Sequence, residues 1–316
     1  MLITSRGLAA AVFAFALSAP VRAAIPPAPG VVNYIEGSAF IDGQPVTSKD
    51  IGRAQVNQNQ ILSTGQGKAE MLLTPGVLLR AAADTQVRMV SPSLTDTRVE
   101  VLRGEAMVEA TDLHKENNIR ILEQGTSTTL AKNGLYDFDA NKGVVSVYDG
   151  KAVVQGDDNQ VKVGKGKQVA LSGHLKAVGF DRDRHDDLYA WSSVRSQDLS
   201  MANLRTAGMY AGNPYAYTPY GSGWYWNPYF ASYSFFPVDG LLYSPFGYGF
   251  YSPWAFYGGG YRGGVIYRSG PPPVRGVFHG GSVPVVPQGV QRGGFPSGGG
   301  FRSSGGGSQG GGARHR

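Results

Sequence analysis

The sequence predicts an all-β fold, either an irregular β-solenoid-like domain or a β-sandwich, followed by a short helix and a low-complexity disordered tail. Three observations point there. Up to Thr206, short β-branched and apolar runs are separated by turn residues about every 8–12 positions. No sustained helical period competes before about residue 180, which excludes alternating strand–helix units. After Thr206 the chain becomes Gly, Tyr, Pro and Trp with almost no acid. The charge divides at the same place. The net charge of +6 equals the excess beyond Ala207, where seven Arg (262, 268, 275, 292, 302, 314 and 316) face the single acid Asp239. The first part is therefore neutral and the tail cationic.

The chain opens with a predicted export signal over residues 1–23. Arg6 supplies the positive charge, and Gly7 to Ala19 is uncharged and mostly apolar. That run is shorter than the ~20 residues a membrane-spanning helix needs. Val21 and Ala23 are small residues at the two positions a signal peptidase reads, so cleavage is expected near Ala23. Gly, Pro or charge interrupts every later apolar run, so no transmembrane segment is expected after signal removal and the protein is expected to be periplasmic or extracellular. The chain has no Cys, which removes disulfides, thiolate catalysis and Cys-based zinc sites from consideration.

Residues 28–178 read as the β-domain. Three of its segments share one pattern: a β-rich stretch, a charged residue, Gly, a polar residue, Ala and two apolar residues. They are Val32 to Ile41 around Gly37, Val99 to Val108 around Gly104, and Val145 to Val154 around Gly150. Each predicts strand, turn, strand, with Gly supplying the positive φ that a Cβ penalises. Thr74-Pro75-Gly76 is a further turn between apolar runs, and Thr64-Gly65-Gln66-Gly67 and Gly164-Lys165-Gly166 also read as turns. The copies are unequally spaced, 67 and then 46 residues apart, which argues against coils of fixed length.

Those residues carry a resemblance. Val31 to Gly37, the run Ile61-Leu62-Ser63-Thr64-Gly65-Gln66-Gly67-Lys68-Ala69-Glu70-Met71-Leu72-Leu73, then Gly76 to Leu79 and Thr85 to Val87, resemble the FecR domain. Thr64, Gly65, Ala69, Met71 and Leu73 fall on that family's recurrent Thr-Gly run, and the resemblance covers about residues 30–172. It implies an extracytoplasmic, solenoid-like all-β fold. The founding members are anti-sigma regulators with a cytoplasmic helical domain and a membrane helix ahead of this domain. Here an export signal stands in their place, so the resemblance implies the outer module alone.

Residues 181–206 read as a helical connector. Asp186 or Asp187 caps a helix from about Leu188 to Arg205, with acids at its positive end. The cluster Asp181 to Asp187 lacks the Gly and terminal Glu of a calcium loop and is read as a cap rather than a metal site. Residues 207–257 form a Tyr/Trp/Pro-rich segment in which Pro and Gly recur every few positions, so neither a helix nor a long strand is expected. Residues 258–316 are rich in Gly, Ser and Arg and read as disordered. Trp224, Tyr225, Trp226, Arg262 and Arg268 are taken as tail contacts, by stacking and by cation–π pairing. Deleting 207–316 is predicted to leave the β-domain's melting temperature nearly unchanged.

No catalytic, cofactor or metal constellation emerges. The five His are scattered, and the two Gly-x-Gly pairs do not open a helix. Asp137 and Asp139 share one face of a strand and read as a solvated surface. The function expected is a secreted or periplasmic, non-enzymatic binding module. Its partner would be an envelope protein, a glycan or an anionic surface, with no cofactor and, given the export signal, no nucleic acid. Two alternatives stand beside it: a polysaccharide-active enzyme with carboxylates in a β-groove, and a remnant signalling module related to anti-sigma regulators.

Overall fold

A computed structural model of the chain describes residues 26–211, 223–238, 240–253 and 255. The signal segment, Arg262, Arg268 and the Gly/Ser/Arg-rich tail lie outside the described residues. In chain order the first strands are β1 (Val32–Ile41), β2 (Gln44–Val46), β3 (Ile61–Thr74), β4 (Val77–Ala81), β5 (Gln86–Ser93), β6 (Asp96–Arg103), β7 (Glu105–Ala110) and β8 (Arg120–Glu123). Next come β9 (Thr126–Leu130), β10 (Gly134–Asp139), β11 (Val144–Asp149), β12 (Lys151–Gln155), β13 (Gln160–Gly164), β14 (Lys167–Ala170) and β15 (Ala177–Gly179). Helix α1 (Asp187–Ala211) follows, then β16 (Gly223–Asn227), β17 (Ser232–Phe236), β18 (Leu241–Tyr243) and β19 (Gly249–Tyr251).

The protein is mostly β. Strands β1 to β15 join one sheet, whose main path runs β13-β12-β9-β8-β6-β5-β3-β4-β7-β10-β11-β14-β15. The path curls until β13 approaches β14 and β15, giving a nearly closed, barrel-like sheet. The β6–β8 pair is parallel, while the other strand pairs are antiparallel. Inward side chains from around the whole path form one apolar core, including Val32, Met71, Leu79, Val87, Val99, Ile121, Phe138, Val147 and Val163.

The strands differ in what covers their outer faces. Strands β5, β6 and β9 alternate between buried and half-buried residues, as a half-solvated strand does. Strands β4 and β10 are buried at every position, as is the end of β3 from Ala69 to Thr74. Helix α1 and the hairpins β16–β17 and β18–β19 lie over them. Leu72 and Leu78 point outward and pack with Leu199, Tyr233, Phe235 and Phe250. Met107 and Leu135 pack with Leu188 and Phe246.

This covering layer departs from the sequence expectation for residues 207–257. Pro228, Pro245 and Gly247 fall in the hairpin turns, and Gly240 precedes β18, so the breakers separate the strands rather than interrupt them. Gly247 and Gly240 have φ of +90° and +66°. Trp224, Tyr225 and Trp226 lie on β16 rather than in an extended tail. Trp224 and Trp226 pack against the covering cluster, and Tyr225 lies 4.2 Å from the Phe236 ring.

The glycines divide into three kinds. Gly76 closes the β3–β4 hairpin. Gly104 and Gly150 are corners where the chain leaves one strand and enters another that is not its neighbour, β6 to β7 and β11 to β12. Their φ values are +82° and +96°, and a Cβ on Gly104 would sit 2.5 Å from Thr85 Cα. Gly37 lies inside β1 at a bulge opposite Gly67 rather than between two strands. Thr64 and Gly65 lie within β3 rather than at a turn. The Thr64 hydroxyl donates to the Ala82 carbonyl (2.5 Å) and accepts from the Thr85 amide (2.9 Å), holding the β4–β5 connection. The repeated pattern thus marks places where backbones approach closely, whatever the topology around them.

Candidate functional site: a buried ion network and an acidic cleft

Two polar assemblies lie on the outer face of the sheet. The first is buried beneath the covering layer. Arg80, on β4, donates from Nε to Glu70 Oε2 (2.8 Å) and from Nη1 to Glu109 Oε2 (2.5 Å). Arg195, from α1, reaches Glu70 Oε1 at 3.1 Å and places its guanidinium 3.9 Å from the Tyr34 ring. Asn33 donates to Glu70 and to the Tyr233 carbonyl, and accepts from the Tyr233 amide (2.7 Å). Ser196 donates to Glu109 (2.7 Å) and contacts the Ser244 hydroxyl. Two carboxylates and two guanidiniums therefore balance in charge, and they tie β1, β3, β4 and β7 to α1 and to both hairpin layers. Burial pushes Glu70 up, but Arg195, Arg80 and Asn33 outweigh it and hold its carboxyl below the usual range. Burial likewise opposes the Arg80 charge, and Glu109 and Glu70 outweigh it.

The second assembly opens to solvent. Along β10, Tyr136 and Phe138 point into the core, so Asp137 and Asp139 point outward. Asp139 pairs across the ladder with Glu105 of β7, and Asp137 with Ser146 of β11. The segment 180–186 then crosses this face on its way into α1. Asp186 caps the helix by accepting from the Tyr189 amide (2.7 Å). The result is a cleft of about 580 Å³. Glu105, Asp137, Asp139 and Asp186 contribute to its lining, with Tyr148 and Phe180 as aromatic wall. Tyr148 meets Phe180 edge-on at 5.0 Å, and His185 stacks on Tyr189 at 3.7 Å, so the wall is braced.

The expectation of a solvated face for Asp137 and Asp139 does not hold, because the crossing segment leaves them only 7% and 6% exposed. Asp139 is paired with Lys142 at 2.5 Å. Asp137 Oδ1 is buried without a hydrogen-bond partner. Burial, with Glu105, Asp186 and Asp139 close by, pushes the Asp137 carboxyl well above the ordinary range. Glu105 is pushed up to about 7 by burial and by Asp186, with which it is in hydrogen-bonding contact. Among the described residues, no group of three or more His, Asp or Glu is placed to hold a metal ion.

A further buried acid lies outside the cleft. Glu123, at the end of β8, is 1% exposed, and neither of its oxygens has a hydrogen-bond partner. Burial, with Asp139 nearby, pushes it from 4.5 up to about 8. The folded protein thus holds this proton to higher pH than the unfolded chain does. The stability it contributes is complete below pH 4.5 and is lost as pH rises through about 8. Glu105 acts in the same direction up to about 7. Urea unfolding of Glu123→Gln is expected to show a stability at pH 8.5 raised relative to the parent by on the order of 2 kcal/mol, with little gain at pH 4.5. Parallel pH profiles for the two proteins would refute this.

No protein-family model matches the sequence, and no curated protein matches it. Among solved structures, two crystal structures titled as a "putative anti-sigma factor" from Parabacteroides distasonis are similar, each at 16% identity, with TM-scores of 0.35 and 0.34. Each match covers 42% of this chain and 64% of the other, so the chain spans a little under two thirds of the length of those structures. No helix among the described residues is long and apolar enough to cross a membrane.

Proposed function

We propose that this protein is an exported, non-enzymatic binding module resembling a FecR domain. In this reading the folded β-domain carries a ligand cleft and the cationic tail holds the protein to an anionic envelope surface. The observation that carries the binding role is the cleft itself. It is a recess of about 580 Å³, within the size range of small-molecule sites, with an unpaired buried carboxylate oxygen in its lining. Direct contact of Glu105 with Asp137 and Asp186 favours binding over polysaccharide hydrolysis. Glycosidases hold their two carboxyls at least ~5 Å apart, so that a glycosidic bond fits between them. The export signal and the excess of six positive charges beyond Ala207 support the surface role.

Retention of the mature protein on isolated envelope material tests this reading. At 0.1 M salt the full chain is expected to be retained, and retention should fall at 1 M as the screening length shrinks from ~10 to ~3 Å. Changing the seven tail Arg to Ser should remove the salt-sensitive part. An intact Met1 on a cytoplasmic product, or retention equal for both proteins at both salts, would overturn it.

A further inference from the structure

We propose that the cleft between β10, β11 and the segment 180–186 binds an organic cation, an ammonium or guanidinium group carried on a short apolar stem. This deepens the binding-module reading and rests on it for the choice of cleft, but not on where the protein resides. Five carboxyl groups, Glu105, Asp137, Asp139, Asp181 and Asp186, line one recess. Lys142 is occupied by Asp139, and Arg184 is exposed at the edge. Asp137 is the decisive residue, because its side chain is 93% buried in the lining and, although it contacts Glu105, its Oδ1 has no hydrogen-bond partner. A ligand N–H supplies the missing donor.

The walls select among cations. Tyr148, Phe180 and the stacked His185–Tyr189 pair offer ring faces and edges, which suit the stem and delocalised charge of an organic cation. A divalent metal instead needs several oxygens converging on one point at about 2–2.6 Å. Here the carboxyls are in contact with one another and no such group forms among the described residues. The volume has room for a ligand well beyond a bare ion.

Protons couple to this binding. The charged and titratable groups sharing the cleft with Asp137 are Glu105 from β7, Asp139 and Lys142 from β10 and its following turn, Tyr148 from β11, and Asp181, Arg184, His185 and Asp186 from the crossing segment. Burial, reinforced by the neighbouring acids, raises the Asp137 and Glu105 carboxyls and favours their protonated forms. A cation entering the cleft stabilises the ionised form, so binding releases protons and strengthens as pH rises from 5 toward 8.

The test is titration calorimetry of the full mature chain with L-argininamide and spermidine, run at pH 7 in two buffers of different ionisation enthalpy. Calcium chloride and maltotriose serve as the metal and neutral-sugar probes. Saturable binding of at least one organic cation is expected, with buffer-dependent heat that reports proton release. Asp137→Asn should weaken it at least tenfold while leaving the melting temperature equal to or above the parent's, since the change removes a buried carboxyl from a crowded acidic site. Asp158→Asn, exposed and outside the cleft, removes a carboxylate elsewhere and should leave binding unchanged. Repeating the titration with the seven tail Arg changed to Gln identifies the source. Tighter binding means that the chain's own guanidiniums compete for the cleft, and unchanged binding means that the cation is supplied by another molecule. Absence of saturable binding to either organic cation overturns the proposal, as does equal affinity of the parent and Asp137→Asn, or binding of calcium or maltotriose alone. Because the protein is purified and in free solution, failure of export or of envelope retention is read separately.

Discussion

Arg80→Met is expected to destabilise the protein by roughly 3–5 kcal/mol, the cost of breaking one partner out of a buried ion network. Arg80 and Glu70 are wholly buried, and Glu109 is 2% exposed. Removing the guanidinium withdraws 2.8 and 2.5 Å bonds from two carboxylates at once. Glu70 keeps Arg195 and Asn33, but Glu109 keeps only hydroxyl partners, Ser196 and Thr111. The uncompensated charge, rather than the lost attraction, sets the size of the effect. Adding Glu70→Gln and Glu109→Gln to Arg80→Met removes that charge and should recover at least half of the loss. Denaturant unfolding of the single and triple variants checks this. A single variant with the parent's midpoint would show that the network contributes nothing measurable.

Ending the chain after Thr206 is expected to lower the melting temperature sharply, the reverse of what the composition of the aromatic segment suggests. The cut removes Tyr233, Phe235, Phe236, Phe246 and Phe250, all buried. Burial of one such side chain is worth about 1.5–3 kcal/mol, so the summed loss is a large share of a typical domain's stability. The cut also strips the outer faces of Leu72 and Leu78, and it leaves Asn33 and Asn203 without the backbone groups of residues 233, 235 and 251. Ending the chain after Ala255 keeps every one of these contacts and is expected to melt close to the full-length protein. Scanning calorimetry of the two truncations decides it, with dye binding to exposed apolar surface as a second readout. Equal melting of both truncations would mean that the hairpin layer is dispensable.

The strands were legible because alternation and turn chemistry are local. Gln86 to Met89 alternates polar and apolar residues, and in the fold that stretch is half-solvated. What covers the sheet was not legible, because its signals run against the usual pattern. Glu70 and Arg80 sit in apolar runs and look like ordinary surface charges until their partners, 29 and 125 residues away, are placed. Helix α1 buries Ser192, Arg195, Ser196, Asn203 and Thr206 alongside Leu188 and Leu199, so its inner face is mixed, while Val194 on its outer side is 54% exposed. An apolar-spacing rule therefore selects part of the wrong face. In the aromatic segment, frequent Gly and Pro were equally compatible with disorder and with short hairpins whose turns take those residues, and only packing distinguishes the two. The acidic cleft was half legible. Asp137 and Asp139 were identifiable as a pair on one strand face, but the segment 180–186 that buries them joins them only through the tertiary fold.

The Asn33–Tyr233 contact joins residues 200 positions apart in the chain. During synthesis from the N-terminus, β1 and β3 are made long before the layer that completes their outer face. Until Arg195 has emerged Glu70 lacks its helix partner, and until residues near 250 have emerged Leu72 and Leu78 lack part of their cover. The final state is therefore reached late, through contacts of high sequence separation, which is the regime of slow folding. A nascent chain of this kind stays incompletely locked until its last hairpin covers the outer face of the sheet.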